Sequence, residues 1–158
     1  MDQAQTDRNT HKLPICLMFQ DEAGFGRMSD PRDCRAPNGF RPAVKSALVR
    51  EHRYVFGAVC PETGHPDYTA AENMKTAGLS LFLKQVSKAH GNHFIIMAAD
   101  GASAHKPSNL VIPENVSIIA LPSYSPELNS AGTVWNILRR DYTADKYFET
   151  PGEAVDET

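Results

Sequence analysis

The chain has 158 residues, of which 41% are hydrophobic and 22% are charged, and a formal net charge of −3. This length suits one domain that buries its core without disulfides or metal ions, and the composition excludes a disordered charged tail. A membrane span and a signal peptide are excluded as well, because no apolar run approaches about 18 residues and the N-terminus is polar. The acidic balance gives no overall attraction to nucleic acid, so DNA contact would come either from local patches or from a further domain outside this chain.

Three strands are predicted in the first half of the chain. Residues 1–12 are polar and predict a flexible leader, whereas the apolar run that follows predicts a buried strand ending at Asp21. Residues 21–41 are rich in Gly, Pro and Arg and predict a long irregular connection, which is uncommon in a compact domain unless it is functional. The predicted strands, which would form an antiparallel meander, cover residues 14–20, 54–59 and 67–71.

A helix is predicted to follow the meander. Its apolar residues recur at spacings of three and four, which places them on one face. Thr76 or Ser80 is expected to cap this helix, and Gly91 is expected to end it. The residues of this face are Leu79, Phe82, Leu83, Val86 and, at its end, Ala89 or His90.

The last part of the chain combines strands with a second helix. Two apolar runs, 94–99 and 116–121, predict strands buried on both faces, and the first of them ends at Asp100. Asn129 or Ser130 is expected to cap the final helix. A meander that passes into strand–helix alternation predicts an α/β fold, a mixed sheet with helices packed against it. The apolar residues of the final helix are Val134, Ile137 and Leu138.

The three cysteines, Cys16, Cys34 and Cys60, form neither a CxxC pair nor an even set. Cys16 and Cys60 lie in apolar runs, where cysteine usually acts as a small buried hydrophobe. We therefore expect reduced thiols in a cytosolic protein rather than a disulfide framework or a zinc site.

Two aspartates stand at the predicted ends of apolar strands, Asp21 after the first and Asp100 after the fourth. Ligands of sheets with helical crossovers bind at the carboxyl ends of strands. Two neighbouring carboxylates repel each other unless a hard cation lies between them, and Mg²⁺ keeps positions open for water and phosphate oxygens. The pair is therefore a candidate Mg²⁺ site for phosphoryl transfer. The alternative is that each aspartate only forms a turn or caps a helix.

Other polar residues near these aspartates admit two interpretations each. Glu22 is either a further metal ligand or a solvated loop carboxylate. His105 is either a proton-transfer group or a loop side chain that caps a backbone group. A group of arginines either reaches phosphates or belongs to a solvated loop. The arginines are Arg27, Arg32, Arg35 and Arg41.

Several segments of the chain form a specific set. In chain order they are QDEAGFGRMSDPRDCRAPNGFRP, AADGASAH, NLVIPENVSIIALPSYSPELNS and VWNILRR. Together they closely resemble the DDE-type catalytic domain of bacterial insertion-sequence transposases related to the mariner superfamily. The resemblance extends from about Leu13 to about Phe148, and its most specific part is the string YSPELN with Trp135 behind it.

The resemblance implies a ribonuclease-H-like core, similar to that of retroviral integrases, and DNA strand cleavage and strand transfer by two-metal phosphoryl transfer. Asp21 matches the first aspartate of the family and Asp100 the second, so both are implied to be catalytic and to bind Mg²⁺ or Mn²⁺. The implied partner is DNA, both transposon ends and target, with no membrane contact and with a homodimer as one assembly to test. The implied location is the bacterial cytoplasm, in association with the nucleoid.

The third carboxylate of the family pattern is missing. The family has a glutamate three residues before the tryptophan, and counting back from Trp135 gives Gly132. Glu127 belongs to the YSPELN string, five residues earlier, and the neutral amide of Asn136 is a poor Mg²⁺ ligand. We therefore expect weak metal binding and impaired catalysis. The alternatives are a working nuclease in which another group replaces the glutamate, and a non-catalytic remnant that only folds, binds DNA or oligomerises.

Further departures from the family pattern point in the same direction as Gly132. Each one, like Gly132, can arise by a single base change, so their clustering is typical of an inactive, drifting element copy. They are Gly24 for Arg, Arg35 for Trp, and Ser123 and Ser130 for Pro.

The expected organisation is a flexible leader over 1–12, the catalytic domain over 13–150 and a tail over 151–158. The helix-turn-helix region that normally precedes this domain in the family is expected to be absent, because the first apolar strand begins within the first 14 residues. Within the domain, Trp135 is predicted to bury its ring against the sheet.

Overall fold

A five-stranded mixed sheet organises the chain. The computed structural model describes residues 13–26, 35–40, 43, 51–100, 109–122, 125–143 and 149–156. The strands are β1 (Ile15–Gly26), β2 (His52–Val59), β3 (Pro66–Ala71), β4 (Phe94–Ala99) and β5 (Val116–Ala120). They lie in the order β3-β2-β1-β4-β5, with β2 antiparallel to both β1 and β3, and β4 parallel to both β1 and β5. The predicted mixed α/β sheet is therefore confirmed.

Helices accompany the sheet at three places in the described chain. They are α1 (Thr76–Ala89), α2 (Ser130–Leu138) and α3 (Pro151–Asp156). A 3₁₀ turn, Pro126–Leu128, precedes α2, and a π-helical turn, Arg139–Thr143, follows it. Helix α3 lies in the segment assigned to the tail, and its Val155 packs against buried side chains of the sheet. None of the described helices is long and apolar enough to cross a membrane.

The sheet carries a separate apolar cluster on each face, because successive residues of a strand point to opposite sides. On one face, Met18 and Phe56 pack with Phe82 and Val86 of α1. On the other face, Phe25 packs with Trp135 of α2. Each large side chain that is buried in this way contributes about 1.5–3 kcal/mol relative to an exposed one. Together the two clusters fix α1 and α2 on opposite sides of the strand that carries Asp21.

Strand β1 is longer than the sequence predicts. It does not end at Asp21 but continues to Gly26, and residues 21–26 pair with β2. Asp21 lies opposite Gly57 in this pairing. The prediction that Asp21 ends the strand is therefore wrong. The cause is pairing with a distant strand, which extends β1 through a polar, glycine-containing stretch that reads locally as a loop.

Two local predictions about exposure and capping are also wrong. Helix α1 begins after Lys75, so Thr76 already lies inside it, and Ser80 donates its hydroxyl to the Thr76 carbonyl at 3.0 Å instead of capping the helix. Strand β5 is an edge strand rather than one buried on both faces, and its Ile119 is exposed. In α2 the helix turns Ala131 and Trp135 toward the sheet, which leaves Ile137 exposed.

The described cysteines, Cys16 and Cys60, are free thiols that pack in the cluster beneath α1. Burial is the main reason that the pKa of the Cys16 thiol is raised to about 12, and contact with Cys60 raises it as well. A thiol with so high a pKa is protonated near neutral pH and is a poor nucleophile. Cys34 lies outside the described residues.

Candidate metal centre between strands β1 and β4

Asp21 and Asp100 lie where β1 and β4 stop pairing. The parallel register runs from Ile15 opposite Phe94 to Phe19 opposite Ala98, so each aspartate lies two residues beyond the last pair. Asp100 follows β4 directly, as predicted, whereas Asp21 lies inside β1. Because the two strands are parallel and rise by the same amount per residue, both aspartates reach the same edge region of the sheet.

The environment of Asp21 disfavours the ionised form of its carboxyl group. Burial is the main cause that raises its pKa, to about 6. The backbone N–H of Glu22 donates to its Oδ1 at 3.0 Å and opposes this change. The negative charges of Glu22 and Asp100 raise the pKa further, whereas the positive charge of Arg139 lowers it. A carboxylate in this position is stabilised by any cation that binds beside it.

The raised pKa predicts that Asp21→Asn stabilises the metal-free protein at neutral pH. Since the folded pKa of about 6 exceeds the ordinary value, the stabilising contribution of Asp21 is complete below about pH 4 and is lost as pH rises through 6. We expect Asp21→Asn to raise the melting temperature at about pH 7.5 and to change it little at about pH 4, in thermal unfolding with a chelator. Glu127→Gln, at an exposed carboxylate, is the matched control, and an equal effect of Asp21→Asn at both pH values would contradict the prediction.

Helix α2 presents Gly132 to Asp21. A Cβ atom at position 132 would lie 3.6 Å from Oδ2 of Asp21, which is ordinary van der Waals contact. The position that the family pattern assigns to its third carboxylate therefore lies next to the first aspartate. Glycine supplies no ligand at that point.

The far end of α2 is held by Trp135. Its ring is 7% exposed and makes an edge contact with Phe25 at 6.2 Å between centroids. The same ring lies so close to Gly57 that a Cβ there would come within 2.6 Å of Cη2. The prediction that Trp135 buries its ring against the sheet is confirmed.

The other residues that the sequence suggests as metal ligands, two carboxylates and one amide, do not complete a metal cluster in the described part of the chain. Glu22 follows Asp21 in β1 and points to the other face of the sheet. Glu127 and Asn136 are exposed. Within the described part of the chain, no group of three His, Cys, Asp or Glu side chains is arranged to hold a metal ion. Among the described residues, the carboxylates of the candidate site are therefore Asp21 and Asp100, and the charge of Asp100 acts on Asp21.

One basic residue near the site has no counterpart in the sequence-based candidates. Arg139 lies seven residues after Gly132, on the same side of the helix, with its guanidinium 5.8 Å from the centre of the Phe25 ring. Its spacing of seven residues from Gly132 is the sequence feature that predicts its position on the same side of the helix as Gly132. Arg35 is exposed. The remaining candidates lie outside the described residues; they are Arg27, Arg32, Arg41 and His105.

Comparison with known proteins identifies the fold and the family. The chain is 30% identical over 104 residues to the uncharacterized protein y4pE/y4sA of Sinorhizobium fredii, a match that covers 65% of this chain and 76% of that protein. It superimposes on the Mos1 transposase in a paired-end complex with the left transposon end, with a TM-score of 0.66 and 12% identity over 98% of this chain. It also superimposes on the Mos1 mariner paired-end complex with Mn, with a TM-score of 0.60 and 14% identity over 89% of this chain.

These similarities confirm the predicted ribonuclease-H-like, integrase-type core. The chain spans 50% of the Mos1 chain in the first complex and 46% in the second. The family of DDE superfamily endonucleases matches residues 16–153. A match over that much of the chain shows that it belongs to the DDE superfamily endonucleases, the family to which its transposase-like motifs point.

Proposed function

We propose that this chain is the catalytic domain of a DDE-type transposase in which Asp21 and Asp100 bind a divalent cation and Gly132 impairs catalysis. The observation that carries the proposal is the 3.6 Å between the Cβ position of residue 132 and Oδ2 of Asp21. At this distance, the position of the family's third carboxylate lies beside Asp21, the position of its first carboxylate. With two carboxylates instead of three, cation binding is weaker.

Mg²⁺ or Mn²⁺ is the cation that suits these ligands, because both ions accept carboxylate oxygens and leave positions for water and phosphate. When bound, such an ion polarises a phosphoryl oxygen and lowers the pKa of coordinated water. Asp21 and Asp100 would hold it from adjacent strands. A Mos1 complex solved with Mn supports divalent-metal use in this fold.

DNA is the proposed substrate and partner. A Mos1 complex with a transposon end shares this fold. Arg139 brings positive charge near Asp21, where a phosphate backbone must approach in this proposal. Transposon ends are cut and joined to target DNA by this reaction type, and the bacterial cytoplasm, at the nucleoid, is the place where such DNA is found. A homodimer is part of this proposal, because two transposon ends must be held together for joining.

The proposed impairment is tested with Gly132→Glu. We expect this variant to raise Mn²⁺ affinity by about tenfold or more, because an anionic ligand is added beside Asp21. We also expect it to gain plasmid nicking that the unmodified chain lacks or shows only weakly. Calorimetric titration with Mn²⁺ and a supercoiled-plasmid assay measure the two effects.

Matched variants separate the added charge from changes in helix stability. Gly132→Gln adds the same side-chain length without charge, and Gly132→Ala should stabilise α2 by about 1 kcal/mol without adding a ligand. Neither is expected to raise Mn²⁺ affinity. If the unmodified chain nicks DNA, Asp100→Ala abolishes the nicking and Gly132→Glu changes nothing, then the claim that Gly132 impairs the site is wrong.

A non-catalytic remnant is the second candidate function. It is favoured by the lack of a three-residue metal cluster in the described ranges. Such a protein would fold and bind DNA or oligomerise without cutting. It predicts that Gly132→Glu binds Mn²⁺ no better than Gly132→Gln and that neither variant nicks DNA.

A further inference from the structure

The side chain of Asn129 connects the two elements that form the candidate site. Asn129 is 8% exposed, and its amide nitrogen donates to the backbone carbonyl of Gln20 at 3.2 Å. Its side-chain oxygen accepts a hydrogen bond from the backbone N–H of Ala131 at 3.1 Å. The same side chain therefore bonds the residue just before Asp21 and the residue just before Gly132. A helix cap needs only the second of these bonds.

We propose that Asn129 is a positioning residue that holds position 132 of α2 opposite Asp21. This inference rests on the proposed function, because it assigns the purpose of that placement to metal binding. In this proposal Asn129 is not a metal ligand, because it acts through the backbone of Gln20 and the first turn of α2.

The geometry explains why a second attachment is needed. Trp135 fixes one end of α2 by packing against Gly57 and Phe25. The hydrophobic effect that buries this ring is itself non-directional, so the contact specifies the orientation of the first turn of α2 less directly than a hydrogen bond does. The hydrogen bond from Asn129 to Gln20 fixes the other end in a direction-dependent way. A second bond joins the backbone N–H of Gly132 to the Asn129 carbonyl at 3.2 Å, which ties position 132 itself to this residue.

Asn129→Ser is the variant that tests this role. Serine keeps an oxygen that caps the helix but is too short to cap it and also reach the Gln20 carbonyl. In the Gly132→Glu background we expect Asn129→Ser to lower Mn²⁺ affinity by about tenfold. In the unmodified Gly132 chain we expect almost no change, because position 132 there supplies no ligand. Val86→Ala, in the cluster under α1 on the opposite face, is the control for a general loss of stability.

A purely structural role would give a different pattern. If Asn129 were purely structural, Asn129→Ser would lower the urea midpoint equally in both backgrounds. In the Gly132→Glu protein, Asn129→Ser would then reduce Mn²⁺ affinity no more than Val86→Ala does. Equal losses of Mn²⁺ affinity in both backgrounds would also overturn the proposal. Non-additivity between positions 129 and 132 is therefore the supporting result.

A metal-free measurement tests the positioning even if Gly132→Glu binds no Mn²⁺. Asp21→Cys combined with Gly132→Cys places two thiols in the contact seen between these positions. With diamide as the oxidant, we expect a disulfide between positions 21 and 132, identified by peptide mass spectrometry, and about tenfold slower formation when Asn129→Ser is added. An unchanged rate overturns the role of Asn129, whereas normal slowing together with no Mn²⁺ gain in Gly132→Glu overturns only the proposed metal function.

Discussion

Trp135→Ala should lower the free energy of unfolding by about 3–5 kcal/mol, which is the usual cost of removing a large buried aromatic side chain. The ring is 7% exposed and lies between Phe25 and the backbone of Gly57. Its removal leaves a cavity that a central strand cannot fill by moving. Urea unfolding followed by circular dichroism measures the change, since the chain contains 1 tryptophan and the variant has no indole fluorescence.

Two variants control this measurement. Trp135→Phe keeps much of the ring and removes an indole N–H that is buried without a hydrogen-bond partner, so it should cost less than alanine does. Ile137→Ala, two residues along the same helix at an exposed position, should stay within about 0.5 kcal/mol of the unmodified protein. An unchanged urea midpoint for Trp135→Ala would show that α2 is not held by this contact.

The strands that can be predicted from the sequence are those with a continuous run of apolar residues. Residues 94–99 are continuously apolar and become β4, in which every residue is buried. The second half of β1 cannot be read in this way. Asp21, Glu22 and Gly24 resemble a loop, and they are extended because they pair with Gly57, Phe56 and Tyr54 of β2, which are distant in the sequence.

The candidate site likewise has features that the sequence predicts and features that only the structure shows. That Asp100 follows a buried strand is visible in the sequence, and that Gly132 replaces a carboxylate is visible from the resemblance to the transposase family. That Gly132 faces Asp21 requires the structure. The cap at Asn129 is predictable from residue type, but its bond to Gln20 joins positions 109 residues apart. Contacts of this kind depend on the assembled sheet, so no local sequence pattern predicts them.

Gly57→Ala should destabilise the protein by about 1–3 kcal/mol or more, because the added methyl group overlaps the Trp135 ring. The new Cβ would contact Cζ2 and would lie 2.6 Å from Cη2, closer than real Cβ atoms approach other atoms. Neither side yields easily, since β2 is paired on both edges by β1 and β3, and the indole is rigid. Urea unfolding of Gly57→Ala measures the cost. Gly24→Ala is the matched strand control, because its new Cβ would lie at an ordinary 3.4 Å from the Tyr54 ring.

The double variant identifies the cause of that cost. Once Trp135→Ala has removed the ring, Gly57→Ala should be neutral or slightly stabilising, because alanine loses less backbone entropy than glycine when a strand forms. The two substitutions should therefore be non-additive by about 1–3 kcal/mol. Simple additivity would mean that Gly57 is required for the strand itself and not for the ring of Trp135. Non-additivity would show that the missing side chain at Gly57 is what makes room for the Trp135 ring, and therefore for the close approach of α2 to β2.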